Sequence, residues 1–203
     1  MKKVIFSIFI VCSLKSSAQY AVKLIQFRPT GDMGMVLKQG FTGEIMYLES
    51  LDTDEETRMR YGISYISLKP RMDTFPVYGV LTDGSGTKVL PGYEVYHQYS
   101  LTTIFGGIDY APIRKENYYV YGGLDIVFGG VDKKYDHHIE SFTDEDFSGG
   151  VLMGGLRFRI GGEYMFSDNV GALFEVTRAY CYFEGESILS NNNIGIGVHI
   201  LFE

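Results

Sequence analysis

Residues 151–166 read Val-Leu-Met-Gly-Gly-Leu-Arg-Phe-Arg-Ile-Gly-Gly-Glu-Tyr-Met-Phe. The even positions, Leu152, Gly154, Leu156, Phe158, Ile160, Gly162, Tyr164 and Phe166, are all apolar or glycine. The odd positions include Arg157, Arg159 and Glu163. Successive side chains of a strand point to opposite faces, so this stretch is a strand with one apolar and one charged face. It runs well beyond the usual five or six or so residues of a soluble strand.

The pattern continues on both sides. After a short turn at Ser167-Asp168-Asn169, Val170 to Phe183 sets Val170, Ala172, Phe174, Val176, Tyr180 and Tyr182 against Gly171, Glu175, Thr177 and Cys181. The last segment sets Ile194, Ile196, Val198, Ile200 and Phe202 against Gly195, Gly197, His199 and Glu203. Upstream, Tyr20–Arg28, Gly40–Ser50, Arg58–Leu68 and Tyr118–Phe128 alternate in the same way. Tyr99–Tyr110 is ambiguous in phase, and Asp109 is assigned to the inner face. The reading is eight strands.

Connection lengths alternate as well. Pro29–Gln39, Pro70–Gln98, Gly129–Ser148 and Glu184–Asn192 are long, whereas Leu51–Thr57, Ala111–Asn117 and Ser167–Asn169 are short. Long and short links then lie at opposite ends of the strands, as in a bacterial outer-membrane barrel. The fold class expected is all-β, an eight-stranded antiparallel up-and-down transmembrane β-barrel.

Composition agrees. The 203 residues include 25 Gly, 16 Tyr and 14 Phe, no Trp and 5 Pro, which suits many strands and tight turns. The net charge of −7 argues against nucleic acid, which needs a basic surface. No apolar run in the body reaches the roughly 18 residues of a spanning helix. At the start, Met1-Lys2-Lys3, an apolar Val4–Leu14 and the small residues Ser16-Ser17-Ala18 have the order of a secretory signal peptide. Cleavage is expected after Ala18, leaving residues 19–203 as one barrel domain. Losing Lys2, Lys3 and Lys15 takes the charge from −7 to −10. Val11 before Cys12 does not fit a lipoprotein signal, and Cys181 then remains without a partner for a disulfide.

A soluble barrel buries its apolar side chains and turns its charges to water. Here the charges occupy the minority face. Turned inward, they form a lumen network of Lys23, Glu44, Arg60, Asp109, Asp125, Arg157, Arg159, Glu163 and Glu175, with His199 as a hydrogen-bonding neighbour. Four basic and five acidic groups nearly cancel, which makes their burial tolerable. The apolar face then meets outer-membrane lipid, and Tyr20, Tyr47, Tyr61, Tyr65, Tyr110, Tyr164, Tyr180 and Tyr182 supply interfacial girdles. Closing the sheet removes edges that hydrocarbon would not tolerate.

The chain resembles the small outer-membrane β-barrels of the "outer membrane protein beta-barrel domain" family, common in Bacteroidota. Ser17-Ala18-Gln19 is similar to a signal-peptidase junction of that phylum, and Pro29–Gly34 leading to Gly40-Phe41-Thr42-Gly43 is similar to a first loop and second strand. Gly197–Phe202 resembles the terminal strand read by the barrel assembly machinery, although the chain ends in Glu203 and not an aromatic residue. The resemblance implies an outer-membrane location and a structural or binding role. Similar barrels accompany secretion and surface-motility machines.

Chemistry is sparse in the sequence. Outer-membrane lipid A deacylases carry a His-x-Ser pair, but none of His97, His137, His138 and His199 has that neighbour. No catalytic residue, cofactor or metal ligand is therefore assigned. His137-His138 among Asp132, Asp136, Glu140 and Asp144-Glu145-Asp146 invites a divalent-ion reading, but charge runs ordinarily mark solvated loops. Asp52-Thr53-Asp54-Glu55-Glu56 lacks the glycine and distal Glu of a calcium loop and reads as an acidic turn. The Gly-Gly pairs sit in strands and not between a strand and a helix, so they are not phosphate loops. The candidate partner-binding loop is Pro70–Gln98, with Phe75, Val77, Tyr78, Val80, Leu81, Val89, Leu90 and Tyr93. Its apolar content favours a hairpin turning at Asp83-Gly84-Ser85-Gly86 that supplies a docking edge to another envelope protein. The expected function is a non-enzymatic subunit of a cell-envelope assembly. The alternatives are a lipid A-modifying enzyme and a narrow transporter of a small apolar solute.

Overall fold

The computed structural model describes residues 18–202 except 52–55, 84–85, 141, 143–144 and 184–188. The expected leader at 1–17, the Cys12 question, the acidic turn at 52–55, the turn residues Gly84 and Ser85, and Asp144 lie outside the described residues. Period-two alternation produces the strands β1 (Ala18–Thr30), β2 (Gly40–Ser50), β3 (Thr57–Leu68), β4 (Thr74–Asp83), β5 (Gly86–Lys115), β6 (Tyr118–Ile139), β7 (Glu145–Ser167), β8 (Val170–Phe183) and β9 (Leu189–Phe202). One short helix, α1 (Gly31–Val36), sits in the first loop.

Every neighbouring pair is antiparallel. β3 skips β4 and pairs with β5, from Thr57 opposite Tyr110 to Leu68 opposite Tyr99. β1 pairs with β9, from Ala18 opposite Phe202 to Thr30 opposite Ser190. These two pairings close a ring of eight strands, β1-β2-β3-β5-β6-β7-β8-β9, and leave β4 outside it. The wall alternates sharply. Along β1, Ala21, Lys23, Ile25 and Phe27 are buried, while Val22 and Leu24 are exposed. In β5 the ambiguous phase resolves with Tyr99, Leu101, Thr103, Phe105 and Asp109 inside and Ile104, Ile108 and Tyr110 outside. Tyr20, Tyr47 and Tyr61 stand side by side on β1–β3 at the end that holds both described termini, with ring centroids 5.5 and 6.4 Å apart.

The hairpin expected in Pro70–Gln98 forms, with β4 paired to β5 and Asp83 opposite Gly86. Other connections differ from expectation. Residues 129–139 continue as strand, so β5, β6 and the start of β7 project beyond the ring as a sheet that β4 extends. There His137 and His138 belong to strand β6 and point to opposite faces, not into one bent loop. The first long loop contains α1 and ends at Leu37, which is fully buried. Arg71 fixes that segment by donating from Nε to the carbonyls of Gly34 (2.6 Å) and Leu37 (3.2 Å).

Candidate functional site

The inner faces of seven barrel strands converge on one layer of charge. Lys23 (β1) reaches Glu44 (β2) at 2.5 Å and Glu175 (β8) at 2.6 Å. Arg60 (β3) lies between the same two acids, at 3.2 Å from Glu44 and 2.8 Å from Glu175. Arg157 (β7) donates to Glu44 at 2.6 Å and to Asp125 (β6) at 2.7 Å. Arg159 (β7) donates to Asp125 at 2.7 Å and to Asp109 (β5). Four cations thus meet four carboxylates, all almost wholly buried. Charge-assisted hydrogen bonds offset the cost of taking these groups from water. The Tyr121 hydroxyl adds a bond to Glu175 at 3.1 Å, and Phe105 lies under the Arg157 guanidinium with 4.1 Å to its centroid.

Glu163 and His199 are not in this layer. They bond to each other nearer the end holding the termini, and Arg58 donates to Glu163 at 3.0 Å. The sequence reading did not select Arg58 or Tyr121. Arg58 has the same strand parity as Arg60, and Tyr121 the same as Asp125, so alternation alone carried the signal.

On the loop side of the charges the lumen turns apolar. Phe27, Ile66, Leu101, Val127, Met153 and Cys181 pack with the buried Leu37. The space left there is a cavity of about 40 Å³, lined also by Glu44 and Arg157. That is room for a few waters and not for a diffusing solute. The arrangement is a filled interior, as eight strands impose.

The projecting sheet is the second candidate. One face carries a cross-strand row of rings, Phe75 (β4), Tyr96 (β5), Tyr135 (β6) and Phe147 (β7), with successive centroids 5.4, 5.1 and 4.8 Å apart. Cross-strand aromatic pairs of this kind hold register and stiffen a sheet away from the barrel. Beside the row, His137 Nδ1 lies 2.9 Å from Glu94. On the opposite face His138 stacks on Tyr93 at 4.6 Å. His97 bonds Asp136 at 2.6 Å, and that bond holds the Asp136 carboxyl below its ordinary range. Among the described residues no group of three or more His, Cys, Asp or Glu side chains is arranged to hold a metal ion.

The candidate partner residues divide between the two faces. Phe75, Val77 and Leu81 lie on the face of the aromatic row, with Leu90 half-buried beside them. Tyr78, Val80, Val89 and Tyr93 lie on the other, exposed by 70, 64, 65 and 46%. β4 bonds to β5 on one side, and its other edge pairs with no described strand.

No family model matches the chain, and no curated protein matches it by sequence. Solved structures do resemble it. Neisserial surface protein A superposes with a TM-score of 0.55 at 12% identity, covering 92% of this chain and 99% of that one. A major outer membrane protein from Thermus thermophilus gives 0.55 at 12% identity, covering 91% and 99%. The N-terminal β-barrel domain of OprF from Pseudomonas aeruginosa gives 0.51 at 10% identity, covering 93% and 98%. At such identities the likeness speaks for fold alone, and the fold is an eight-stranded antiparallel barrel of the kind found in bacterial outer membranes.

Proposed function

We propose that the chain is an integral outer-membrane barrel, exported with a cleaved leader, that acts without catalysis as a binding subunit of a cell-envelope assembly. The observation that carries this reading is the β4 edge. From Thr74 to Thr82 it has no charged residue, its outer edge is unpaired among the described residues, and Tyr78 and Val80 beside it are exposed. Natural proteins usually blunt such edges with charge or proline, since an open edge recruits another strand, and Pro76 is the one such residue between Thr74 and Thr82. An extended segment of a partner protein fits here by strand addition, with backbone bonds giving affinity and the apolar side chains giving specificity.

The outward apolar wall and the inward charges support the membrane location. Phe41, Ile104, Phe128, Leu152, Ile160 and Phe166 all stand exposed on the wall, the reverse of a soluble barrel. The loop end then faces outward, and the end holding the described termini faces the periplasm. Gly197–Phe202, paired with β1, is the segment the barrel assembly machinery would read during insertion. The motifs at Ser17–Gln19 and Pro29–Gly43 favour the Bacteroidota-type family.

The test is an outer-membrane fraction extracted in mild detergent and run with and without boiling. The unboiled protein is expected to migrate as a compact band that shifts on heating. Its native complex is expected to exceed the monomer, and deletion of residues 75–93 to release the partner while the heat shift stays. A soluble protein with no heat shift would overturn the membrane reading. A partner retained without the hairpin would overturn the docking edge.

A further inference from the structure

Two arginines face outward from the barrel wall. Arg28 (β1) and Arg178 (β8) are exposed and flank Asn192 (β9) in one cross-strand row. Strands lie about 4.8 Å apart, which puts the two Cα atoms about 10 Å from each other. The row nearer the barrel middle is Gln26, Ile194 and Val176, and the next is Leu24, Ile196 and Phe174. The row beyond is Thr30, Ser190 and Tyr180, where Thr30 Oγ1 and Ser190 Oγ lie 2.7 Å apart. The arginines therefore sit where the outer wall turns from apolar to polar, at its loop end.

Neither guanidinium has a carboxylate partner among the described residues. Arg28 Nη2 donates to Gln26 Oε1 at 2.7 Å. Arg178 donates to Asn192 Oδ1 at 3.1 Å and to the Tyr180 hydroxyl. These are the only charged side chains facing outward on the described parts of β1, β8 and β9. The cations of the lumen are all ion-paired, so this pair stands apart in a chain of net charge −7. A single long cation at this depth reaches up to the headgroups at little cost. Two in one row, on either side of Asn192, make a site: guanidinium forks match phosphate oxygens bidentately.

We propose that Arg28, Asn192 and Arg178 bind the anionic phosphomonoester headgroup of an outer-leaflet lipid. Both guanidinium groups meet the phosphate, Asn192 Nδ2 donates beside them, and an acyl chain lies along Ile194, Ile196 and Phe174. The site rests on the outer-membrane reading above.

The test uses the full barrel in neutral detergent, with the heat shift recorded first, and native mass spectrometry with three probes: lysophosphatidic acid, lysophosphatidylcholine and inorganic phosphate. Preferential retention of lysophosphatidic acid is expected, weakened about ten-fold in R28Q/R178Q and by rising salt, with the heat shift unchanged. Equal retention of the two lipids, or equal affinity of the variant, overturns the site. Inorganic phosphate binding as tightly as the phospholipid overturns the lipid as its occupant. A wild-type protein without a heat shift overturns the membrane reading and the site with it, which separates the two failures. Should R28Q/R178Q fail to fold, R178Q alone and the wild-type lipid preference decide.

Discussion

Replacing Glu175 by Leu is expected to destabilise the refolded barrel by about 3–5 kcal/mol, the cost of leaving buried cations without their counter-charge. Glu175 takes Lys23 at 2.6 Å, Arg60 at 2.8 Å and the Tyr121 hydroxyl at 3.1 Å, and it is 1% exposed. Without it, four cations face three carboxylates in an almost wholly buried layer. Urea unfolding of the detergent-refolded protein reads the effect, as a midpoint lowered by about 1–2 M. The companion variant K23M/E175L restores the balance to three against three. It is expected to recover more than half of the loss, because replacing a whole buried pair by apolar groups is often close to neutral. Equal losses in both variants would mean that shape and hydrogen bonding, not charge balance, set the stability of this layer.

The same balance explains what the sequence made legible. Lys23, Glu44, Arg157, Arg159 and Glu175 stand out because each interrupts an otherwise apolar alternation. Lipid on the outside keeps that alternation clean over whole strands. The projecting sheet has no such contrast. Around Lys133–His137 both faces meet water, so polar residues occupy both parities, Lys133 and His137 on one and Lys134 and Asp136 on the other, and the strand reads as a loop. The phase of β5 was obscured for another reason. Thr102-Thr103 and Gly106-Gly107 place the same residue type on both faces. Helix α1 has six residues and no side-chain cap, and its place comes from Leu37 and Arg71, which are tertiary contacts. Arg28 and Arg178 lie on the outward parity, which alternation assigns to lipid, so the inward charge layer gives no pointer to them.

Gly154-Gly155 tests the wall itself. Gly155 points inward, and a Cβ built on it would stand 2.1 Å from the Tyr180 carbonyl oxygen and 2.6 Å from the Cys181 Cα. Backbone cannot move aside as a flexible side chain can, so G155A forces β7 away from β8. Gly154 points outward, and its Cβ would meet the Phe128 ring at 3.5 Å and the Val127 carbonyl oxygen at 3.9 Å, both ordinary contacts. The same close approach recurs at Gly107 against Leu124, Gly129 against Thr102 and Gly197 against Val22, each at 2.2–2.3 Å from a carbonyl oxygen of the next strand. Four inward glycines on four strands thus let neighbouring backbones draw close where a small ring curves most tightly. The expected result is a loss of about 1–3 kcal/mol or more for G155A, the range for overpacking, and little change for G154A. Heat-shift gels of the refolded variants read it: the compact band of G155A disappears at a lower temperature than that of the wild type, and G154A tracks the wild type. Equal behaviour of the two would mean that the doublet is there for turn or strand flexibility and not for the approach of β8. An added G107A then separates the cases, since its Cβ would also stand 2.3 Å from Asp125 Oδ1 and so disturb the charge layer together with the wall.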